Sequence, residues 1–252
     1  MAYAFSRFQL GIGTENLNQL KEKTVAILGI GGVGSYAAEA LARSAIGRLI
    51  LVDKDVIDIT NINRQIHALQ STIGKPKVEV MKERIFKINP KCEVIPLHLF
   101  YEEGTADEIF SFQPDYIIDA IDTLTSKVNL IVESKKRDIP IISSMGAANK
   151  LDPTQFKVTD ISKTYMDPVA KIVRQQLRKQ GVDNGVQVVF SPEQPLLPKK
   201  DLYPEVGKTE SVVRKERIPP SSNAFVPPMV GLIMVSVVIR DFLDLDKRGE
   251  VK

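Results

Sequence analysis

The segment Gly29-Ile-Gly-Gly-Val-Gly34 constrains this chain more than any other stretch. It follows the apolar run Thr24-Val-Ala-Ile-Leu-Gly29, which reads as a buried strand. It precedes Ser35 to Ser44, where Ala37, Ala40, Leu41 and Ser44 recur at helical spacing. Arg48-Leu-Ile-Leu-Val-Asp53 then reads as a second buried strand, so the opening is strand, glycine turn, helix, strand. Glycines let the backbone turn tightly and approach phosphates, and the helix start offers free N–H groups with a partial positive charge. Asp53 stands about 20 residues on, where an acidic side chain can grip ribose hydroxyls. On this evidence a nucleotide binds, and an NAD-dependent oxidoreductase would show much the same pattern.

Alternation continues downstream. Pro76 suits the first turn of a helix over 77–88, closed by Asn89-Pro90, and 93–97 reads as a strand. Further strands are expected at 116–121 and 139–143 with a helix through 130–136 between them. Later strands at 156–161 and 186–190 flank a helix over 168–179. The fold class is α/β: a Rossmann-like, mostly parallel sheet with helices on both faces, a later part with antiparallel strands, and a C-terminal helix over 225–243. Residues 1–252 are expected to form one domain, within which the proline- and charge-rich stretch 192–222 is a mobile crossover loop.

Composition excludes some classes. A chain of 252 residues with 43% hydrophobic content buries a core without staples, and the one cysteine, Cys92, excludes an internal disulfide. The start has no basic segment leading a long apolar run, so the expected location is cytoplasmic. The run Met229 to Ile239 falls short of the roughly 20 residues a bilayer-spanning helix needs, so it reads as a core or interface helix with no membrane role. A net charge of +3 is nearly balanced, but Arg174, Arg178, Lys179, Lys199, Lys200, Arg214, Lys215 and Arg217 could form a phosphate-contacting face or simply a solvated one.

The discriminating residues follow Asp53. Asn61-Ile-Asn-Arg64-Gln65 and Gly74-Lys-Pro-Lys77 bring two cations and two amides towards the strand ends. Two cations suit a triphosphate, whose charge they offset while steadying the α-phosphate for attack, and a dehydrogenase has little use for them. Asp119-Ala-Ile-Asp122-Thr123 closes another strand and offers carboxylates to a phosphate-bridging magnesium ion. The plainer alternatives are a surface ion pair for Arg64, a solvated helix residue for Lys77 and a helix N-cap for Asp122.

Gly29-Ile-Gly-Gly-Val-Gly-Ser35, Val-Asp53-Lys-Asp55, Asn61-Ile-Asn-Arg64-Gln65, Gly-Lys-Pro-Lys77 and Asp119-Ala-Ile-Asp122 together resemble the ordered motif set of the ubiquitin-activating-type adenylating proteins. Within that superfamily, Gly146-Ala-Ala, Asp152-Pro-Thr-Gln155, Thr159-Asp-Ile-Ser-Lys163-Thr164, Asp167-Pro168 and the late Pro227-Pro-Met-Val-Gly231 most resemble the tRNA threonylcarbamoyladenosine dehydratases, from about Phe5 to Leu243. The resemblance implies ATP-driven cyclisation of the modified adenosine in tRNA: its threonine carboxylate is adenylated, and ring closure expels AMP. It implies that Gly29, Gly31, Gly32 and Gly34 approach the phosphates and Asp53 the ribose. Asp55, Asn61, Arg64, Gln65, Lys77 and Thr123 contact the nucleotide, and Asp122 holds magnesium. Arg64, Lys77 and Asp122 become the catalytic residues, joined by Arg7 reaching from the neighbouring subunit of a homodimer. ATP, Mg²⁺ and tRNA are the expected cofactors and partner, with a monovalent cation and a sulfur- or electron-transfer protein left open.

Departures from the pattern separate the subfamilies. Many relatives that adenylate the C-terminal glycine of a ubiquitin-like sulfur carrier hold zinc through two Cys-x-x-Cys pairs, and one cysteine beside His67 and His98 cannot supply such a site. Cys92 reads as a core residue inside a strand, and His67 as a hydrogen-bonded histidine on a short helix. The carrier-activating enzyme, a nucleotide-dependent scaffold without turnover and an NAD dehydrogenase are the rival readings.

Overall fold

A computed structural model describes residues 3–197, 199 and 220–245. Its elements in chain order are α1 (Ser6–Lys21), β1 (Thr24–Leu28), α2 (Gly34–Arg43), β2 (Arg48–Val52), α3 (Lys77–Ile88), β3 (Glu93–Leu97) and α4 (Ala106–Phe110). There follow β4 (Tyr116–Asp119), α5 (Leu124–Lys136), β5 (Ile141–Ser144), β6 (Lys157–Asp160), α6 (Pro168–Lys179), β7 (Gln187–Phe190) and α7 (Val226–Phe242). Most of the stretch expected as a crossover loop, with Lys200, Arg214, Lys215 and Arg217, lies outside the described residues.

The strands form one sheet in the order β3-β2-β1-β4-β5-β7-β6, parallel throughout except that β6 runs antiparallel to β7. This is the mostly parallel sheet with a later antiparallel part that the sequence alternation implies. The strand order reverses between β1 and β4, the crevice where such sheets bind ligands.

Burial on both faces explains the near-continuous apolar strands. Val25, Ile27, Leu49 and Leu51 face one core with α2, α3 and α7, while Ala26, Leu28, Ile50 and Val52 face the other with α4, α5 and α6. The Met229–Ile239 run is indeed a core helix: Val230, Met234, Val235 and Val238 of α7 are buried, and a Cβ at Gly231 would lie 2.4 Å from the Val33 carbonyl of the turn before α2. No helix among the described residues is long and apolar enough to cross a membrane.

Differences from the expectation are local. Strand ends at 121 and 139 fall in loops, because Ile121 belongs to the segment leading into α5 and Ile139 to the turn after it. The helix α1 has no counterpart among the expected elements; Gly13 interrupts it at φ +85°, and it docks through Leu17, Leu20, Phe8 and Ile12. Cys92 is buried as expected but sits in the turn before β3, its N–H bonded to the Asn89 carbonyl, and burial followed by the nearby Glu93 pushes its thiol up to about 12.

Candidate functional site: a glycine turn at the sheet switch point

At the end of β1 the chain turns at Gly29, whose N–H donates to the Val52 carbonyl at 2.8 Å and whose φ is +89°. A Cβ there would stand 2.6 Å from the Ala120 carbonyl, so only glycine lets the turns after β1 and β4 lie side by side. Gly34 is fixed by backbone too, since its Cβ would meet the Gly29 carbonyl at 1.8 Å. Gly31 and Gly32 face other partners. A Cβ on Gly31 would be 4.0 Å from Gln65 Nε2, and one on Gly32 would be 3.3 Å from Arg64 Cγ. The α2 N-cap, Val33, offers no side-chain cap; in the first turn of α2 the Ser35 N–H already donates to the Gly31 carbonyl at 3.0 Å, and the helix start still presents its partial positive charge to the crevice.

The segment after β2 wraps back over this turn. Asp53 accepts from the Ile30 N–H at 2.6 Å and from the Asp55 N–H at 2.8 Å, which ties the end of β2 to the glycine turn. Burial raises the Asp53 carboxyl above its ordinary value, against the opposing pull of Lys77. Residues 55–57 bond to 74–77, through Ile57 N–H to Lys75 O at 2.9 Å and Lys77 N–H to Asp55 O at 3.1 Å. That ladder swings the start of α3 inward and places Lys77 Nζ 2.8 Å from Asp55 and 3.8 Å from Asp53, with the lysine side chain buried. Lys77 is therefore not a solvated helix residue.

A capping box orders the intervening loop: Asp58 accepts from Thr60 N–H at 2.8 Å, and Asn61 Oδ1 accepts from Asp58 N–H at 3.1 Å. Arg64 donates to Thr60 O at 2.8 Å and Asn63 Oδ1 at 3.0 Å and makes no ion pair with a carboxylate among the described residues. Its charge is held in place, attracted by the Asp58 carboxylate without an ion-pair contact. Gln65 is buried with no partner for Oε1. His67 departs from expectation: it is 1% exposed, and neither ring nitrogen has a hydrogen-bond partner. Burial, then the Lys77 and Arg84 cations, lower its pKa to about 4, so the ring is neutral.

Across the switch point, Asp122 is exposed without a hydrogen bond or ion pair among the described residues, and the N-cap of α5 is Thr123, which makes no side-chain cap. The helix-cap alternative for Asp122 thus fails, and its carboxylate is uncommitted. Asp119, by contrast, is not available to a metal. It is fully buried, accepting from Lys127 Nζ at 2.8 Å, Ser143 Oγ at 2.5 Å and Ile121 N–H at 3.1 Å. Lys127 is absent from the residues singled out by sequence, although its place on the inward face of α5 beside Leu130 and Ile131 is the signal that would have found it. Arg7 is exposed on α1 and has no hydrogen bond or ion pair with the glycine turn.

The site therefore joins an uncapped helix start, two fixed cations, an orphaned amide and an uncommitted carboxylate at one sheet edge. Such a set can hold a polyphosphate and offset charge developing on it. The ThiF family profile matches residues 5–250. A tRNA threonylcarbamoyladenosine dehydratase of Bacillus subtilis (strain 168) is 59% identical over 96% of this chain and 96% of its own length. The crystal structure of the Escherichia coli enzyme of that name, TcdA, superposes with a TM-score of 0.83 at 34% identity, covering 95% of this chain and 94% of that one. The same enzyme in complex with ATP matches with a TM-score of 0.80 at 33% identity, over 96% of this chain and 97% of that one. This chain belongs to the ThiF family, among its tRNA threonylcarbamoyladenosine dehydratases.

Proposed function

We propose that this chain dehydrates threonylcarbamoyladenosine in tRNA at the expense of ATP. The threonine carboxylate attacks the α-phosphate of ATP, pyrophosphate leaves, and a carbamoyl atom of the same substrate closes on the acyl carbon and expels AMP. The observation that carries the reading is that Arg64 and Gln65 face Gly32 and Gly31 while Lys77 reaches Asp53, which is bonded to the same turn, with the uncommitted carboxylate of Asp122 on the loop after the neighbouring strand.

That geometry supports the roles that the family resemblance implies. Gly31 and Gly32 give the phosphates access to the backbone, and Asp53, already anchored to the Ile30 N–H, meets the ribose. Arg64 and Lys77 offset charge on the phosphates, and Asp55, Asn61, Gln65 and Thr123 orient the nucleotide. Asp122 fits magnesium, which commonly takes one or two protein carboxylates and completes its shell with phosphates and water. Positioning supplies most of the catalysis, because AMP is a good leaving group and the ring-closing nucleophile is part of the substrate. In this reading the protein is one adenylating domain, works in the cytoplasm and acts as a homodimer with Arg7 in the neighbouring site.

The test is mass analysis of nucleosides from threonylcarbamoyl-modified tRNA after incubation with the protein, ATP and magnesium. A nucleoside lighter by one water, with AMP formed in step, is expected. An unchanged nucleoside together with ATP–pyrophosphate exchange on a carrier peptide ending in glycine would replace this reading with carrier activation.

A further inference from the structure

The turn that leads into α6 holds two large side chains in water, and its ends are clamped. Thr164 accepts from Arg174 Nη1 through both its carbonyl and its hydroxyl, and its own hydroxyl donates to the Ile161 carbonyl at 2.8 Å. Asp167, fully buried, accepts from Ala170 N–H at 3.0 Å, Gly146 N–H at 3.2 Å and Lys150 Nζ at 3.3 Å. Between these anchors Tyr165 is 50% exposed and Met166 65% exposed, and Met166 adopts φ +60°, a conformation few non-glycine residues hold.

The Tyr165 ring is fixed in direction. It meets Phe190, at the end of β7, edge to face at 5.4 Å, and its hydroxyl accepts from Lys157 Nζ at 3.1 Å. That ammonium lies 5.8 Å from the ring centre, so it stands out beyond the hydroxyl and does not cover the ring. Lys157, Lys163 and Lys171 make the surrounding surface cationic, while the nearby carboxylates of Asp160 and Asp167 are spent on backbone N–H groups and Lys150.

We propose that Tyr165 and Met166 form a stacking platform for unpaired nucleotides flanking the reacting one, with Lys157, Lys163 and Lys171 on their phosphates; this rests on the tRNA reading above. Every base presents a π-face, so an aromatic platform tolerates different flanking sequences, and lysines add backbone attraction without reading bases. The location suits this role. Phe190 ends β7 and Gly146 follows β5, so the turn lies at the same sheet edge as the loop after β4 that carries Asp122. Two strand steps separate them, about 10 Å at the usual spacing of about 4.8 Å.

Steady-state kinetics with modified tRNA test the platform. Tyr165→Ala is expected to raise the KM for tRNA about 5- to 100-fold, with the KM for ATP and the turnover at saturating tRNA close to wild type. Tyr165→Phe keeps the ring and should behave as wild type, and Lys163→Glu with Lys171→Glu should flatten the salt dependence of tRNA binding. The unaltered KM for ATP shows that the substituted protein is folded. A Tyr165→Ala protein with the wild-type KM for tRNA would overturn the platform, and would leave the turn to some other partner. Wild-type protein that neither binds nor converts modified tRNA would overturn the underlying reading as well, and that result is read without any substitution.

Discussion

His67 is buried, neutral and without a partner on either ring nitrogen, and burial, followed by the Lys77 and Arg84 cations of α3, lowers its pKa. Its folded pKa of about 4 lies below the ordinary 6.5, so the unfolded chain binds the extra proton between those values. Stability from this group is complete above pH 6.5 and is lost as pH falls towards 4. The His67→Leu protein should lose about 3 kcal/mol less than wild type across that window, as read by urea unfolding at a series of pH values. Equal acid sensitivity in the two proteins would contradict the buried, unpaired state. Asp122 is the opposite case. It is exposed and uncommitted, so Asp122→Ala should abolish AMP formation while shifting unfolding free energy by no more than about 0.5 kcal/mol. Both residues are visible in the sequence, Asp122 through its motif and His67 only as a neighbour of Arg64-Gln65. A missing hydrogen bond depends on what folds over the ring, which no local pattern records.

The elements that carry the site are joined by buried charge. Lys127 of α5, Asp119 at the end of β4 and Ser143 of β5 form one network with side chains 2% exposed or less at the ion pair. It fixes the loop that carries Asp122, since Asp119 also accepts from Ile121 N–H. Removing one partner strands a charge in the core, so Lys127→Met should cost about 3–5 kcal/mol. Adding Asp119→Asn should restore part of that loss in urea melts, and a Lys127→Met protein of wild-type stability would contradict the coupling. Helices with strong end signals read well from sequence: Asp167-Pro168 starts α6 and Pro76 precedes α3 at the expected residues. The α1 helix reads poorly, because Gly11 and Gly13 interrupt a mostly polar stretch and its stability comes from docking on the core. The motif that offered carboxylates to magnesium includes Asp119, whose motif position is plain, but its partner Lys127 lies on another element.

At the scale of the whole molecule, the alternation of strands and helices was enough to expect a parallel sheet, and the glycine turn to expect its ligand crevice. The order β3-β2-β1-β4-β5 adds the reason that the loop carrying Asp122 lies beside the glycine turn: β4 is the neighbour of β1 on the side away from β2. Arg7 is exposed at the start of α1 without a tie to its own turn, which leaves it available to a second copy. If Arg7 completes the neighbouring site, mixing Arg7→Ala with Asp122→Ala protein should restore activity, since one site of each mixed dimer is intact. No restoration after confirmed subunit exchange would contradict that arrangement.

Adenylation of the substrate carboxylate itself is the central claim, and tracing its oxygen tests it most directly. With a heavy-oxygen label in the threonine carboxylate of the modified tRNA, attack on the α-phosphate and ring closure should deliver one labelled oxygen to AMP for each nucleoside made lighter by one water. Labelled oxygen in solvent water with unlabelled AMP, alongside the same cyclised nucleoside, would contradict the acyl-adenylate.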